Sequence, residues 1–320
     1  MNELISPAES IVCIPPVPGW PSFRGTLANP VSMAGRGLHT GRRCLVDIHP
    51  APAGHGIVFE RETPGTGVVK LPARLEHRIQ QPMCTALASP LGPRIRTTEH
   101  LLAALRACNI DDALIRLNAE EIPILDGSAA PWIKAITAAG RHEHPVPMRF
   151  IQVLSPVEWS QHSHHLKLEP HDTPALRIDL TLTMKDIGKW RWQGELTPRL
   201  FREEMAAARS FGRLKHVIPA IFYGLIKGQP ILRGASPSCA AAIVGKRVIG
   251  GTRMPDEFLR HKFVDLLGDL ALLGHPLLGK LTALRPTHDS NYGLMATLVN
   301  KPTAWRLIEV SPASRPGEDQ

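Results

Sequence analysis

His261 and Asp265 lie four residues apart in His261-Lys262-Phe263-Val264-Asp265. On a helix such a pair shares one side, about 6 Å apart along the axis and about 40° apart around it. One divalent ion can bridge them. A third donor from another element, His100, would complete a set of neutral imidazoles and a carboxylate suited to Zn²⁺, with a fourth position left for water. Glu99, the neighbour of that third donor, would then be placed to take the water's proton. The same spacing also describes the solvated polar face of an ordinary surface helix.

These residues need elements to hold them. Pro255–Leu273 reads as the longest helix, with Phe263, Leu266, Leu267, Leu270 and Leu273 as its apolar stripe and His261, Asp265 and Asp269 on another face. Gly274 and Pro276 stop it. A second helix carrying Glu99 and His100 is expected to start near Thr97 or Thr98 and to bury Leu101, Leu102, Ala104 and Leu105. Cys44–Ile48, Gly56–Phe59 and Asp112–Leu117 read as strands, and Pro123–Ser128 as a strand end turning into a helix over Ala129–Ala139. The proline-bearing stretch Gly140–Pro147 looks like a linker. Beyond it Phe150–Leu154, Leu166–Leu168, Leu176–Leu182 and Lys280–Leu284 are expected as strands, Pro198–Arg209 as a helix and Gly293–Val299 as a closing helix. The expected division is an N-terminal extension over 1–22, a first α+β domain over 23–140, a linker over 141–149, a second α+β domain over 150–310 and a flexible tail over 311–320.

Composition narrows the partners. A chain of 320 residues with 43% apolar content suits two packed domains, and no apolar run approaches the ~20 residues that a membrane helix needs. Residues 1–22 lack a basic start and an apolar core, so a cytoplasmic protein is expected. The five cysteines are scattered without a C-x-x-C pair, which argues for reduced thiols. A net charge of +8 calls for an anionic partner: a phosphorylated small molecule, a nucleic acid or an acidic membrane surface. The absence of a long Lys/Arg run and an aromatic content of 5% weigh against nucleic acid.

Longer strings sharpen this. Ala34-Gly35-Arg36-Gly37-Leu38-His39-Thr40-Gly41, Thr98-Glu99-His100-Leu101-Leu102-Ala103-Ala104-Leu105, Glu121-Ile122-Pro123-Ile124-Leu125-Asp126-Gly127-Ser128, Ala208-Arg209-Ser210-Phe211-Gly212 and Pro255-Asp256-Glu257-Phe258-Leu259-Arg260-His261-Lys262 follow one another in order. With these strings the chain resembles the UDP-3-O-acyl-N-acetylglucosamine deacetylase family, zinc amidases of the committed step of lipid A synthesis. The resemblance implies an α+β fold of two similar domains, each a sheet with helices on one face, with the helices sandwiched between the two sheets. It implies His100, His261 and Asp265 as ligands of Zn²⁺, with Fe²⁺ as the alternative, and Glu99 as general base. His288 matches the histidine that protonates the leaving amine, Asp269 its acidic partner, and Ser210 a threonine whose hydroxyl faces the reacting carbonyl.

For the substrate the resemblance implies a UDP-linked acylated amino sugar, with Lys262 and Arg285 toward its diphosphate; both read equally well as solvated cations. His39 matches a residue near the site or serves as a turn histidine, and Cys84 matches a cysteine near the metal although a buried thiol is its favoured reading. Asp126-Gly127-Ser128 reads chiefly as turn and cap chemistry. An inserted β-α-β element forming the acyl passage is expected near 212–252, where the apolar pairs Val217-Ile218, Ile221-Phe222 and Leu225-Ile226 also suit a core helix. A cytoplasmic monomer is expected, with at most transient contact with the inner-membrane surface and no nucleic acid. Thr287 stands where the family has glycine, Ser290-Asn291-Tyr292 replaces Leu-Asn-Asn, and Cys239-Ala240-Ala241 and Leu182-Thr183-Met184-Lys185 also depart. These departures leave room for a non-catalytic paralogue that binds a nucleotide sugar or a regulatory protein. The basic charge leaves a third reading, an RNA-binding module.

Overall fold

The computed structural model describes residues 11–311 except Pro64, Thr66, Leu91, Asp186 and Lys227. Most of the tail expected over 311–320, and the first ten residues of the expected extension, therefore lie outside the described residues. The protein is a mixed α and β structure with several sheets. A five-stranded sheet takes its strands in the order Val31–Arg36, Arg43–Pro50, Ala113–Leu117, Ile57–Thr63, Gly67–Pro72. An eight-stranded sheet runs Val12–Ile14, Trp305–Val310, Arg149–Val153, Leu277–Leu284, His164–Glu169, Val157–Gln161, with Leu176–Met184 pairing parallel to Leu277–Leu284 and carrying Gly188–Glu195 at its other edge. The strand Arg43–Pro50 alternates between exposed and buried positions, with Cys44, Val46 and Ile48 inward, as a sheet with one wet face requires.

The two helices expected to carry the site are both buried and pack against each other. Glu99–Ala107 is buried at every one of its nine positions, and Glu257–Leu270 has its apolar stripe and its polar face both enclosed. His261, Asp265 and Asp269 are only 4%, 4% and 2% exposed, which excludes the surface-helix reading of their spacing. Two charged faces cannot simply be buried, so this helix face must find partners inside the protein. The helices meet at a glycine: a Cβ on Gly268 would lie 2.1 Å from the Glu99 carbonyl oxygen. Phe263 and Leu266 on the second helix, Leu101 and Leu102 on the first, and Phe59 and Leu281 from the two sheets belong to one continuous apolar core.

Several elements differ from their sequence-based expectation. The proline-bearing stretch read as a linker is a strand, Arg141–Pro147, paired antiparallel with Phe23–Leu27; Pro145 falls within the register shift between Glu143 and Pro147, and Pro147 is the last paired residue. Pro198–Arg209 is not a full helix. Thr197 caps a single α turn, Pro198–Leu200, accepting from the Leu200 amide at 3.2 Å, and a π turn over Phe201–Met205 follows. The helix His288–Val299 begins five residues before its expected start and does not close the chain, because Trp305–Val310 follows it into the eight-stranded sheet. The segment Pro123–Ser128 joins the first half through one bridge, Gly37 to Pro123, rather than as a strand.

Ser210–Arg213 and Ala240–Val244 pair in parallel across the helix Leu214–Ile226, a β-α-β unit extended by the strand Arg247–Ile249. Ile218, Phe222 and Ile226 on its helix are 46%, 62% and 82% exposed, so these apolar residues are not core filling.

Replacing Gly268 by alanine forces a Cβ against backbone atoms of Glu99 that cannot swing away. Gly268→Ala should destabilise the protein by about 1–3 kcal/mol, the cost of overpacking a filled interior, read as a lower urea midpoint at unchanged slope. A midpoint equal to wild type would show that the helices are free to separate.

Candidate active site

The ligand atoms of His100, His261 and Asp265 lie within 4.8 Å of one another, all three residues buried. His100 stands at the first turn of the helix Glu99–Ala107, which Thr98 begins without a side-chain cap. The residue before it, Thr97, has φ +57°, a left-handed conformation that costs a β-branched residue energy and that its hydroxyl bond to Glu121 at 3.1 Å helps to hold. His261 Nε2 is 3.2 Å from Asp265 Oδ1, as one helical turn dictates. Its other ring nitrogen, Nδ1, is 3.0 Å from the carbonyl oxygen of Ala208. A carbonyl can only accept, so Nδ1 carries the proton and Nε2 presents a lone pair toward the cluster.

The donor set fits a divalent ion. His100 Nδ1 is buried without a hydrogen-bond partner among the described residues, and burial, reinforced by His261, pushes His100 down to about 3, so it is a neutral imidazole. Burial opposes charge on Asp265, but Lys262, His261 and His288 outweigh it and hold the carboxyl well below the usual range. Lys262 Nζ binds Asp265 Oδ2 at 2.7 Å from the same helix. When ionised, Glu99, Asp265 and Asp269 set three negative charges against Lys262 and a protonated His288. A buried cluster with that deficit is completed by a cation.

A second group adjoins the first. His288 Nδ1 is 2.9 Å from Asp269 Oδ2, and Asn291 Nδ2 donates to the same oxygen at 2.8 Å. Burial alone would lower His288, but Asp269 and Asp265 raise it to about 10, so it is an imidazolium at neutral pH. Its Nε2 is 3.8 Å from Glu99 Oε1. Glu99 is pushed up to about 8 by burial, against the pull of His288. A divalent cation at the neighbouring donors would favour its carboxylate form. Thr85 ties the group together: its amide donates to Glu99 Oε2 at 3.0 Å, its hydroxyl binds Asp269, and that hydroxyl is 3.1 Å from His288 Nδ1.

His288 is the first residue of its helix, and the residue that departs from glycine caps it. The Thr287 hydroxyl accepts from the Ser290 amide at 3.2 Å, and Ser290 Oγ accepts from the Thr287 amide at 2.8 Å, a reciprocal capping box. Thr287 and Ser290 therefore fix the backbone on which His288 stands.

The remaining expected residues divide. Ser210 Oγ is 3.2 Å from His261 Nε2, and the Ser210 amide bonds to Gly127 O at 2.8 Å. Gly127 has φ +82° and no room for a Cβ, which would meet Cys239 O at 1.6 Å, so the Asp126-Gly127-Ser128 turn supports the Ser210 strand. Ser128 closes that turn on Asp126 Oδ1. Arg285 is not joined to the cluster: its backbone bonds Thr181 and His164. His39 is fully buried and pushed down to about 4, first by burial; its amide donates to Glu121 at 2.6 Å, and both ring nitrogens lack partners among the described residues. Cys84 is fully buried, and burial, aided by Glu99, pushes its thiol up, so it is an inert thiol beside Thr85. Thr85 and Asn291 are site residues that the sequence reading did not assign. The one local signal for Thr85 is its place after Cys84; for Asn291 it is the i+3 spacing from His288.

Residues 24–300 match the family model of UDP-3-O-acyl N-acetylglycosamine deacetylases. The chain is 33% identical over 287 residues to the UDP-3-O-acyl-N-acetylglucosamine deacetylase of Phenylobacterium zucineum, covering 89% of this chain and 96% of that protein. It is 36% identical over 286 residues to the enzyme of that name from Anaeromyxobacter dehalogenans, covering 89% and 90%. A Shewanella protein of the same name is 32% identical over 290 residues, covering 89% and 92%.

The raised pKa of His288 sets a pH dependence. Its protonated form is stabilised in the fold, so its contribution to stability is complete below about 6.5 and is lost as pH rises through about 10. In chelator-stripped protein, NMR titration should find the His288 ring still protonated at pH 8, and Asp269→Asn should move the midpoint toward 6.5. An unmoved midpoint would mean that Asp269 does not hold the charge.

Proposed function

The chain belongs to the UDP-3-O-acyl N-acetylglycosamine deacetylase family, and on that premise we propose that it hydrolyses the N-acetyl group of UDP-3-O-[(3R)-3-hydroxyacyl]-N-acetylglucosamine, releasing acetate in the committed step of lipid A biosynthesis. The observation that carries the reading is the convergence of His100, His261 and Asp265 beside Glu99 and His288 in one buried cluster. His100, His261 and Asp265 would hold the metal, Zn²⁺ by their chemistry, with Fe²⁺ as the alternative. When bound, such an ion acidifies water and polarises the amide carbonyl as a Lewis acid.

The chain's own residues supply the proton traffic. Glu99, oriented by the Thr85 amide, accepts the proton of the attacking water at Oε1 or Oε2. His288, held cationic by Asp269, delivers a proton from Nε2 to the leaving nitrogen, and its charge favours the developing oxyanion. The Ser210 hydroxyl, on the rim of the donor cluster, is placed to donate to that oxyanion. Lys262, which already neutralises Asp265 beside the metal donors, would favour an anionic substrate. Arg285, His39 and Cys84 are assigned to the substrate side of the site on the family resemblance alone.

We read the chain as two α+β units, 23–140 and 150–310, with helices between their sheets. Supporting this, the five-stranded sheet is built wholly from the first half, and the helices Glu99–Ala107 and Glu257–Leu270, one from each half, pack on each other. The exposed apolar helix Leu214–Ile226 supports an acyl-chain passage in the 212–252 element. No helix among the described residues is long and apolar enough to cross a membrane. We place the protein in the cytoplasm as a monomer, touching the inner-membrane surface only transiently and binding no nucleic acid.

An acetate-release assay on metal-loaded protein tests the reading. Glu99→Ala and His288→Ala should each lower kcat by about 10²–10⁴ while metal content stays at wild-type level. His261→Ala should lose both metal and activity. Metal-loaded wild-type protein that binds the UDP-sugar without releasing acetate would overturn the enzymatic assignment in favour of a binding paralogue.

A further inference from the structure

The β-α-β unit that begins at Ser210 differs from the rest of the molecule in charge. Residues 210–252 hold Arg213, Lys215, Lys227, Arg233, Lys246 and Arg247 and no Asp or Glu, so this stretch supplies most of the chain's net charge of +8. Its cations are displayed rather than paired. Lys215, Arg233, Lys246 and Arg247 are exposed, and none of the four meets a carboxylate among the described residues. The pairing register places Arg213 opposite Ile243, so the start of the helix Leu214–Ile226 and the hairpin Val244–Arg247 leave the two parallel strands at the same end. Arg213, Lys215, Lys246 and Arg247 gather there, with Leu214 and Val244 exposed in the same two segments.

From that basic end an apolar stripe runs along the helix. Its inner side is fixed by contact with the unit's own backbone: Val217 lies 3.2 Å from where a Cβ on Gly212 would stand, and Gly224 abuts Gln229 O and Ile231. On the other side Ile218, Phe222 and Ile226 follow at intervals of four over about 12 Å, flanked by Tyr223 and Leu225, and all five are exposed. A helix on the surface of a globular protein carries polar residues there, and one that is apolar all round is normally covered. An acyl passage under the helix would use its inner side, which leaves the outer stripe without a role. At 13 residues the helix is too short to cross a bilayer, so what covers the stripe meets it from outside.

We propose that this face docks on an anionic phospholipid surface, with the stripe Ile218, Phe222 and Ile226 entering the lipid and the cations of the basic end held among the headgroups. A lipid surface offers both chemistries at once, negative headgroups for Lys and Arg and an apolar layer about 5–10 Å below them for the stripe. A second copy of the chain, docked through the same face, would set cation against cation. The strand that carries this face starts at Ser210, whose Oγ is 3.2 Å from His261 Nε2, so docking holds the metal donors one strand away from the lipid. This docking gives the transient membrane contact read above a definite face. It rests on that reading only for where the protein meets a membrane, and vesicles free of substrate test it, so its failure leaves the deacetylase assignment standing.

Co-sedimentation of the full chain with vesicles of phosphatidylglycerol and phosphatidylethanolamine, against vesicles of phosphatidylcholine alone, tests this. Saturable binding to the anionic vesicles is expected, weakened by salt and much weaker on phosphatidylcholine. Phe222→Asp and Ile226→Asp should each bind about tenfold more weakly. Lys246→Ala combined with Arg247→Ala should lose about tenfold or more, whereas Lys70→Ala combined with Arg116→Ala, on the five-stranded sheet, removes the same charge and should bind nearly as wild type does. In Phe222→Trp, lipids brominated on their acyl chains should quench fluorescence beyond the quenching seen in wild type. Equal losses in the two paired variants would reduce the binding to general attraction by a basic protein and overturn the proposal. So would wild-type binding in both aspartate variants, equal binding to both kinds of vesicle, or Phe222→Trp that is not quenched. A dimer in sedimentation velocity that Ile226→Asp dissociates would replace the bilayer by a second copy. Circular dichroism checks that each variant folds, and Phe222→Trp, which keeps an apolar ring, carries the test if the aspartate variants do not.

Discussion

At Gly268 the backbone of the helix Glu257–Leu270 meets the carbonyl of Glu99 with no space for a side chain between them. That approach sets one turn of each helix against the other, and the turns in question carry Glu99 and His100 on one side and Asp265 and Asp269 on the other. Helices at ordinary separation stand 8–10 Å apart. A glycine at the crossing allows the closer contact that lets donors from two helices share one ion-sized space. The ionisable groups follow from this contact, because residues drawn into the helix interface lose their water and must be satisfied by one another.

Their environments differ enough to divide the roles. His100 is deprived of water and faces another imidazole, so it stays neutral and offers a lone pair. His288 is equally enclosed but faces carboxylates, so it stays charged. One residue type thus provides a metal donor and a proton donor in one buried cluster, and only the neighbours differ. Asp265 and Asp269, one turn apart, divide likewise: Lys262 binds the first, which faces the His261 lone pair, while His288, Thr85 and Asn291 bind the second. Thr85 touches both members of the base and acid pair, so moving it would disturb Glu99 and His288 together.

The departures around His288 have a structural answer. Glycine before a helix leaves the backbone free, whereas threonine with serine three residues on closes a capping box. The sequence Thr287-His288-Asp289-Ser290 lacks the usual acidic or amide side chain at the third helical position, so the box was hidden from a reading that looks for Glu or Gln there. The helix expected from Gly293 therefore starts at His288, five residues earlier. Pro198–Arg209 erred the other way. Its composition suits a helix, but Ala206 O accepts from the amides of Ala129 and Ala130, and the chain gives up α geometry after one turn to make that contact.

Local sequence by itself determined the two site helices and which of their residues share a face, because helical spacing depends only on the backbone repeat: His261, Asp265 and Asp269 align at intervals of four wherever the helix sits. It determined the turn at Asp126-Gly127-Ser128 and the alternating strands as well. Whether that polar face meets water or a second helix was decided by the tertiary structure, since spacing carries no information about what lies opposite. Tertiary structure alone also brought Thr85 to Asp269 and gathered Arg24, Arg74, Arg106 and Arg149 around one cleft. Residues so far apart in the chain leave no periodic trace. Their shared environment, and with it the charge each one carries, exists only once the two halves have packed together.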